Sequence, residues 1–202
     1  MNDYGISLRP YQQVCVDKAI SHAKTSLAPA VIDAAPAAGK SFLIACLSDE
    51  LTRLSGGKKV LNLAPSKELV VQNYQRMLLT GHPASIFSSS AGSKSTRHNI
   101  VFGTPGTVKN AISRFMDGYC AVNIDEAHGI TPSIISIIDA MREANPNLRV
   151  FGWSGTPFRL GSGYIYRNSK RKIRILTSVY TGYRRMKCLN KSLSLLWMLV
   201  LH

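Results

Sequence analysis

A chain of 202 residues, 45% of them hydrophobic and 18% charged, has the length and composition of one soluble α/β domain with room for a tail. Four widely spaced cysteines with no C-x-x-C pair (Cys15, Cys46, Cys120 and Cys188) suggest neither a disulfide framework nor a zinc site, and the apolar run Leu193–Leu201 falls short of the roughly 20 residues that span a bilayer, so a cytoplasmic protein with reduced thiols and no membrane partner is expected. The formal charge of +14 would attract a polyanion, but no acidic residue follows Glu143 and the 11 Lys and Arg beyond it leave only +3 for the rest, so the basicity describes a segment and not the whole fold.

In chain order, the spacing of Tyr11, Val14, Ala19, Ile20 and Ala23 predicts a leading helix over 8–24. A short buried strand over 29–33 then runs into a small-residue turn, 34–39, and a helix over 40–54 stopped by Ser55-Gly56-Gly57. Strand 59–63, helix 66–79, short strands 84–87 and 99–102, helix 104–115, strand 119–124, helix 132–144 and strand 148–153 follow. Strands alternating with helices of these lengths predict an α/β fold with a mostly parallel sheet covered on both faces. Ligands of such sheets sit at the carboxyl ends of the strands, where every motif below falls.

Ala34-Ala35-Pro36-Ala37-Ala38-Gly39-Lys40-Ser41 has P-loop spacing, with alanine in the first glycine position. Small residues let backbone N–H groups close around phosphate oxygens, and the next helix turns its positive end to the same charge. Lys40 would reach the β- and γ-phosphates of ATP, and the Ser41 hydroxyl would bind Mg²⁺. The bland alternative is a small-residue turn before an ordinary helix, since such a string arises by accident in on the order of one chain in sixty. The second string, Asp125-Glu126-Ala127-His128, follows an apolar strand directly. There Asp125 can hold the metal ion and Glu126 can polarise an attacking water, against the alternative of two carboxylates opening a solvated loop.

With these motifs the chain resembles the superfamily-two helicases, in the DEAD/DEAH-like branch that includes type III restriction motor subunits and RadD-like repair proteins. The resemblance covers about residues 8–166 and implies the first RecA-like domain of such a motor. Leu8-Arg9-Pro10-Tyr11-Gln12 resembles the block ahead of the P-loop, which implies a nucleotide-binding role for Arg9 and Gln12 beside Pro36, Ala37, Ala38, Gly39, Lys40 and Ser41. The run from Ala64 to Asn73 resembles motif Ia and Gly103-Thr104-Pro105-Gly106-Thr107 motif Ib, which implies that Pro65, Ser66, Lys67, Gly103 and Thr104 grip a sugar-phosphate backbone without reading sequence. Ser66 and Thr104 are equally well placed to be helix N-caps. Ser154-Gly155-Thr156-Pro157-Phe158-Arg159 resembles motif III, which implies coupling contacts of Ser154 and Thr156 with His128. Ala37 and Gly155 depart from the family pattern, each exchanging one small residue for another.

From residue 167 onward the family pattern ends, and no second RecA-like domain with its arginine finger follows, so that partner is expected in cis or in trans. Residues 167–202 read either as the out-of-frame or truncated end of a longer motor, the preferred reading, or as a basic nucleic-acid-binding extension with Tyr180 and Tyr183 placed for stacking. Two functions follow: a nucleic-acid-dependent ATPase of a helicase or translocase, with DNA favoured over RNA, or a catalytically weak module that binds nucleic acid or a partner. A P-loop kinase or GTPase fits less well, because the Asp-Glu-Ala-His string followed by Ser-Gly-Thr-Pro is the helicase arrangement.

Overall fold

The computed structural model describes residues 8–34 and 38–155 and the strand segments 158–159, 163–164 and 177–180. Helix α1 (Pro10–Thr25) opens with proline at its first position, where the missing N–H costs nothing, and leads into β1 (Ala30–Asp33). Then follow α2 (Lys40–Leu54), β2 (Lys59–Leu63), α3 (Lys67–Leu78), β3 (Ser85–Ser88), β4 (Ser93–Lys94) and β5 (Ile100–Gly103). The remainder comprises α4 (Pro105–Lys109), β6 (Tyr119–Ile124), α5 (Pro132–Ala144), β7 (Arg149–Ser154), β8 (Phe158–Arg159), β9 (Gly163–Tyr164) and β10 (Thr177–Tyr180).

The main sheet has the order β10-β1-β7-β6-β2-β5-β3-β4, parallel throughout except for the β3/β4 pair. Period-two alternation sends the two sides of each strand into different cores. Val60 of β2 and Phe151 and Trp153 of β7 pack with Leu43 and Leu47 of α2, while Leu61, Leu63 and Val150 pack on the other face with Ile137 and Met141 of α5. Strands buried on both faces explain the near-continuous apolar runs in the sequence. Each such side chain contributes about 1.5–3 kcal/mol by leaving water.

The strand order also explains why blocks far apart in sequence meet. Strands β1, β7 and β6 are neighbours, in register as Asp33↔Ser154 and Ile124↔Gly152, so the turn after β1, the end of β7 and the Asp125 corner share one edge. A buried polar chain ties β6 to β2, β7 and α2 below that edge. Asn123 on β6 donates to Ser48 Oγ on α2 at 3.0 Å and to Asn62 Oδ1 on β2 at 2.9 Å, and its own Oδ1 accepts from Trp153 Nε1 on β7 at 3.2 Å.

The structure departs from the sequence expectations at several elements. The single helix expected over 104–115 is split into α4 and a 3₁₀ turn, Ile112–Phe115. Gly106, Thr107, Val108 and Asn110 are weak helix formers, and the break turns Phe115 inward against Phe87, with ring centroids 5.0 Å apart. The β3/β4 hairpin arises in a Ser- and Gly-rich stretch where only the first strand is expected. Finally, β10 pairs with β1 as a parallel edge strand, in a region to which sequence patterning assigns no element. Among the described residues no helix is long and apolar enough to cross a membrane, and Cys15, Cys46 and Cys120 are free thiols.

Candidate functional site

The cradle begins at Gly39, which caps α2 with φ +80°, a left-handed conformation that favours glycine. A Cβ at this position would stand 2.7 Å from Gln12 Nε2, so a side chain here would also push the Gln12 amide aside. Gln12 is buried, and both ends of its amide are engaged by backbone: Nε2 donates to Ala38 O at 3.1 Å and Oε1 accepts from Arg9 N at 3.0 Å. The Tyr11 hydroxyl donates to the same carbonyl at 3.2 Å. The block at 9–12 thus fastens α1 to the phosphate turn. Pro36 and Ala37 lie outside the described residues.

Lys40 opens α2 and points at the Asp125 corner, where its Nζ lies 2.9 Å from Asp125 Oδ1 and also donates to Glu126 Oε1. These partners are 85 and 86 residues further along the chain. Burial pulls the Lys40 ammonium down, but its bonds to Glu126 and Asp125 outweigh that cost and hold its pKa above the ordinary lysine value. The Asp125 side chain is 2% exposed and held from every side. Its backbone N–H donates to Leu63 O at 2.8 Å, its Oδ1 accepts from Glu126 N at 2.9 Å, and its Oδ2 accepts from Asn73 Nδ2 at 2.9 Å. Ser41 stands in the first turn of α2 beside Lys40.

Glu126 is the one non-glycine residue with positive φ among those described, at +51°. A side chain held in this sparsely populated region is a feature that clusters at functional sites. Its Oε2 lies 3.1 Å from His128 Nδ1, and the same ring nitrogen lies 3.2 Å from Ser154 Oγ at the end of β7. Lys40, Glu126, His128 and Ser154 therefore form one continuous chain of contacts across three strands. Thr156, expected to join it, lies outside the described residues.

Further along the same edge runs a groove of about 710 Å³. Pro65, Ser66, Lys67 and Thr104 line it, as the motif resemblance implies. Ser66 is at the same time the N-cap of α3, accepting from Leu69 N at 3.4 Å. Gly103 is not among the lining residues; a Cβ there would meet Val108 Cγ2 at 2.8 Å and Phe87 O at 3.0 Å, so its bareness serves the packing beneath the groove. Sequence reading assigns no role to five further lining residues, Ser89, Ser90, Thr107, Thr131 and Ser133. Several hydroxyls here are linked: Thr104 Oγ1 lies 3.1 Å from Ser88 Oγ and 3.0 Å from Thr107 Oγ1, donating to one and accepting from the other, and Thr107 Oγ1 accepts from Ser89 N at 3.1 Å. The signal available in the sequence is only the Ser/Thr content of three separate short segments.

With this geometry in place, residues 5–159 match the family model for the type III restriction enzyme res subunit. The chain belongs to that family. Its mostly parallel sheet has the RecA-like α/β fold of the helicase structures below. No curated protein sequence matches the chain.

Solved structures give the same fold at low identity. The helicase domain of Hef from Pyrococcus furiosus superposes with a TM-score of 0.67 at 20% identity, over 86% of this chain and 38% of that one. A nuclease-deletion mutant of the Type ISP restriction-modification enzyme LlaGI, solved with a DNA substrate mimic, gives 0.63 at 18% identity, over 88% of this chain and 20% of that one. The UvsW helicase of bacteriophage T4 gives 0.60 at 23% identity, over 75% of this chain and 54% of that one. The chain thus spans about half, or less, of the length of each of these proteins.

Proposed function

We propose that this chain is the nucleotide-binding half of a nucleic-acid-dependent ATPase motor, acting on DNA and completed by a second RecA-like domain in cis or in trans. The observation that carries the reading is the convergence of Lys40 with Asp125 and Glu126 at the carboxyl edge of β1 and β6. A cation between two carboxylates marks where a bound triphosphate would exchange places with them. Lys40 would then pair with phosphate oxygens, leaving Glu126 free to accept a proton from a water.

The oxygen donors Ser41 and Asp125 suit a hard cation such as Mg²⁺, and among the described residues no His/Cys/Asp/Glu cluster offers a competing metal site. Bound there, Mg²⁺ would neutralise charge on the phosphate oxygens. Gly39 and Ala38 present backbone to the phosphates, fastened from behind by Gln12 and Tyr11. The His128–Ser154 contact connects this end to β7, as a motor needs when nucleotide state alters grip. The nearby groove, lined by hydroxyls and a helix amino end, has the chemistry of a sugar-phosphate track that does not read sequence.

The domain boundary near residue 166 is part of the same proposal: residues 1–166 carry the motor domain, and the basic stretch 167–202 that follows adds β10 to the edge of its sheet. ATP hydrolysis measured with and without single-stranded and duplex DNA tests the reading. Stimulation by DNA that disappears in Lys40→Ala and Glu126→Gln supports it. Nucleic-acid binding with no nucleotide affinity, indifferent to both changes, supports instead a binding module derived from such a motor.

A further inference from the structure

Helix α3 reaches both parts of the proposed site. Its amino end, Ser66 and Lys67, lines the groove, and two turns later its buried stripe of Val70, Asn73 and Met77 faces the interior. Asn73 is the polar member of that stripe, only 1% exposed. Its Nδ2 donates to Asp125 Oδ2 at 2.9 Å, while its Oδ1 is buried with no hydrogen-bond partner. An amide in an otherwise apolar stripe, with half its bonding capacity unmet, costs the fold free energy and so invites an explanation beyond packing.

Asp125 is correspondingly divided. One oxygen faces the phosphate side, with Lys40 Nζ and Glu126 N each at 2.9 Å, and the other is fixed by Asn73. Its backbone N–H is held by Leu63 O, the last residue of the strand that feeds α3. Asp125 is therefore held by one β2–α3 unit at two points, its backbone by Leu63 and its carboxylate by Asn73. Any shift of α3 that accompanies a ligand at its amino end is delivered to Asp125 through a single buried bond.

We propose that Asn73 is a positioning residue that couples occupation of the groove to the orientation of Asp125, and hence to affinity for the nucleotide; the inference rests on the functional reading given above. Asn73 touches neither ligand. It makes the angle of the Asp125 carboxylate depend on where α3 sits, and by linkage the same bond makes nucleic-acid affinity depend on the nucleotide.

The test is a pair of binding titrations on the full chain. A fluorescent, non-hydrolysable ATP analogue with Mg²⁺ is titrated in the presence and absence of a saturating single-stranded DNA oligonucleotide. The wild-type chain is expected to show a coupling factor in the ordinary range of roughly 5- to 150-fold. In Asn73→Leu, similar in volume and without a donor, that factor falls to within about twofold of unity, while affinity for the oligonucleotide alone stays at its wild-type value. Should the leucine variant fail to fold, judged by circular dichroism, Asn73→Ser, whose hydroxyl is too short to reach Asp125, is expected to give the same loss. A structural role alone would change stability and leave the coupling factor in place, and that result overturns the proposal. If the wild-type chain binds no nucleotide, the functional reading fails as well; if it binds both ligands and either folded variant stays coupled, this inference fails by itself.

Discussion

The phosphate cradle and the groove share one edge of one sheet but are built from opposite materials. The cradle concentrates charge: Lys40, Asp125 and Glu126 lie within contact distance, Asp125 almost wholly buried, so each group depends on the others to offset its desolvation. The groove mixes apolar surface with hydroxyls, has Lys67 and Lys94 as its charged lining residues, and its hydroxyls are held by ordinary hydrogen bonds. Under the proposed function, a cradle that places one metal-bound phosphate would need fixed geometry, and a track along which a strand moves would need contacts that are individually weak and alike, which hydroxyls supply.

The contrast predicts steep losses at the cradle and shallow ones in the groove. Glu126→Gln keeps the shape of the side chain but removes the proton acceptor, and should lower kcat by about 10²- to 10⁴-fold with nucleotide binding retained, read by steady-state and binding assays together. A variant that hydrolyses ATP at the wild-type rate would remove Glu126 from the chemistry. Ser154→Ala deletes the 3.2 Å contact with His128 and should reduce DNA stimulation by about 2- to 10-fold, the worth of one hydrogen bond, without changing nucleotide affinity.

In the groove, Thr107→Val breaks the hydroxyl links to Thr104 and Ser89 and should weaken DNA binding by about 2- to 10-fold with an unchanged salt dependence. Lys67→Ala should instead lower the log–log salt slope by about 0.7 to 0.9, the signature of one fewer neutralised phosphate. Equal slopes for the two variants would erase the distinction between a charged cradle and a hydroxyl track.

The smallest effect concerns pH. Because Lys40 titrates above its ordinary value when folded, its ion pairs contribute stability that is complete below the lysine range and lost as pH rises through the elevated pKa. The difference in Tm between wild type and Lys40→Met should therefore be constant near neutrality and shrink only in strongly alkaline buffer. A difference that grows with pH would contradict the pairing.

The same contrast decides what could be read from sequence. The cradle was legible because its members sit in contiguous strings, 34–41 and 125–128, each directly after an apolar strand. Helices α2 and α5 and strands β2 and β6 have the bounds that hydrophobic periodicity and their Gly, Pro and Asn boundaries indicate. The hydroxyl lining was not legible, since Ser89, Thr107 and Ser133 come from three polar segments that only the β3/β4 hairpin and the α4 break bring together. Nor did periodicity reveal that Asn62, Asn73 and Asn123 occupy core positions and bond there, because a polar residue in an apolar run reads simply as a weaker pattern. The inward engagement of Gln12 is likewise a tertiary fact: nothing in Leu8-Arg9-Pro10-Tyr11-Gln12 says which backbone its amide will meet.

The claim most in need of a direct test is that the Lys40 cradle clasps a triphosphate. Equilibrium titration of the full chain with a fluorescent ATP analogue and Mg²⁺, beside the Lys40→Ala variant checked for folding by circular dichroism, supplies it. Saturable binding in the wild type that weakens at least about 100-fold in Lys40→Ala is the predicted result, on the scale of removing one preorganised charge from a phosphate site. Equal affinity in both folded proteins would contradict it.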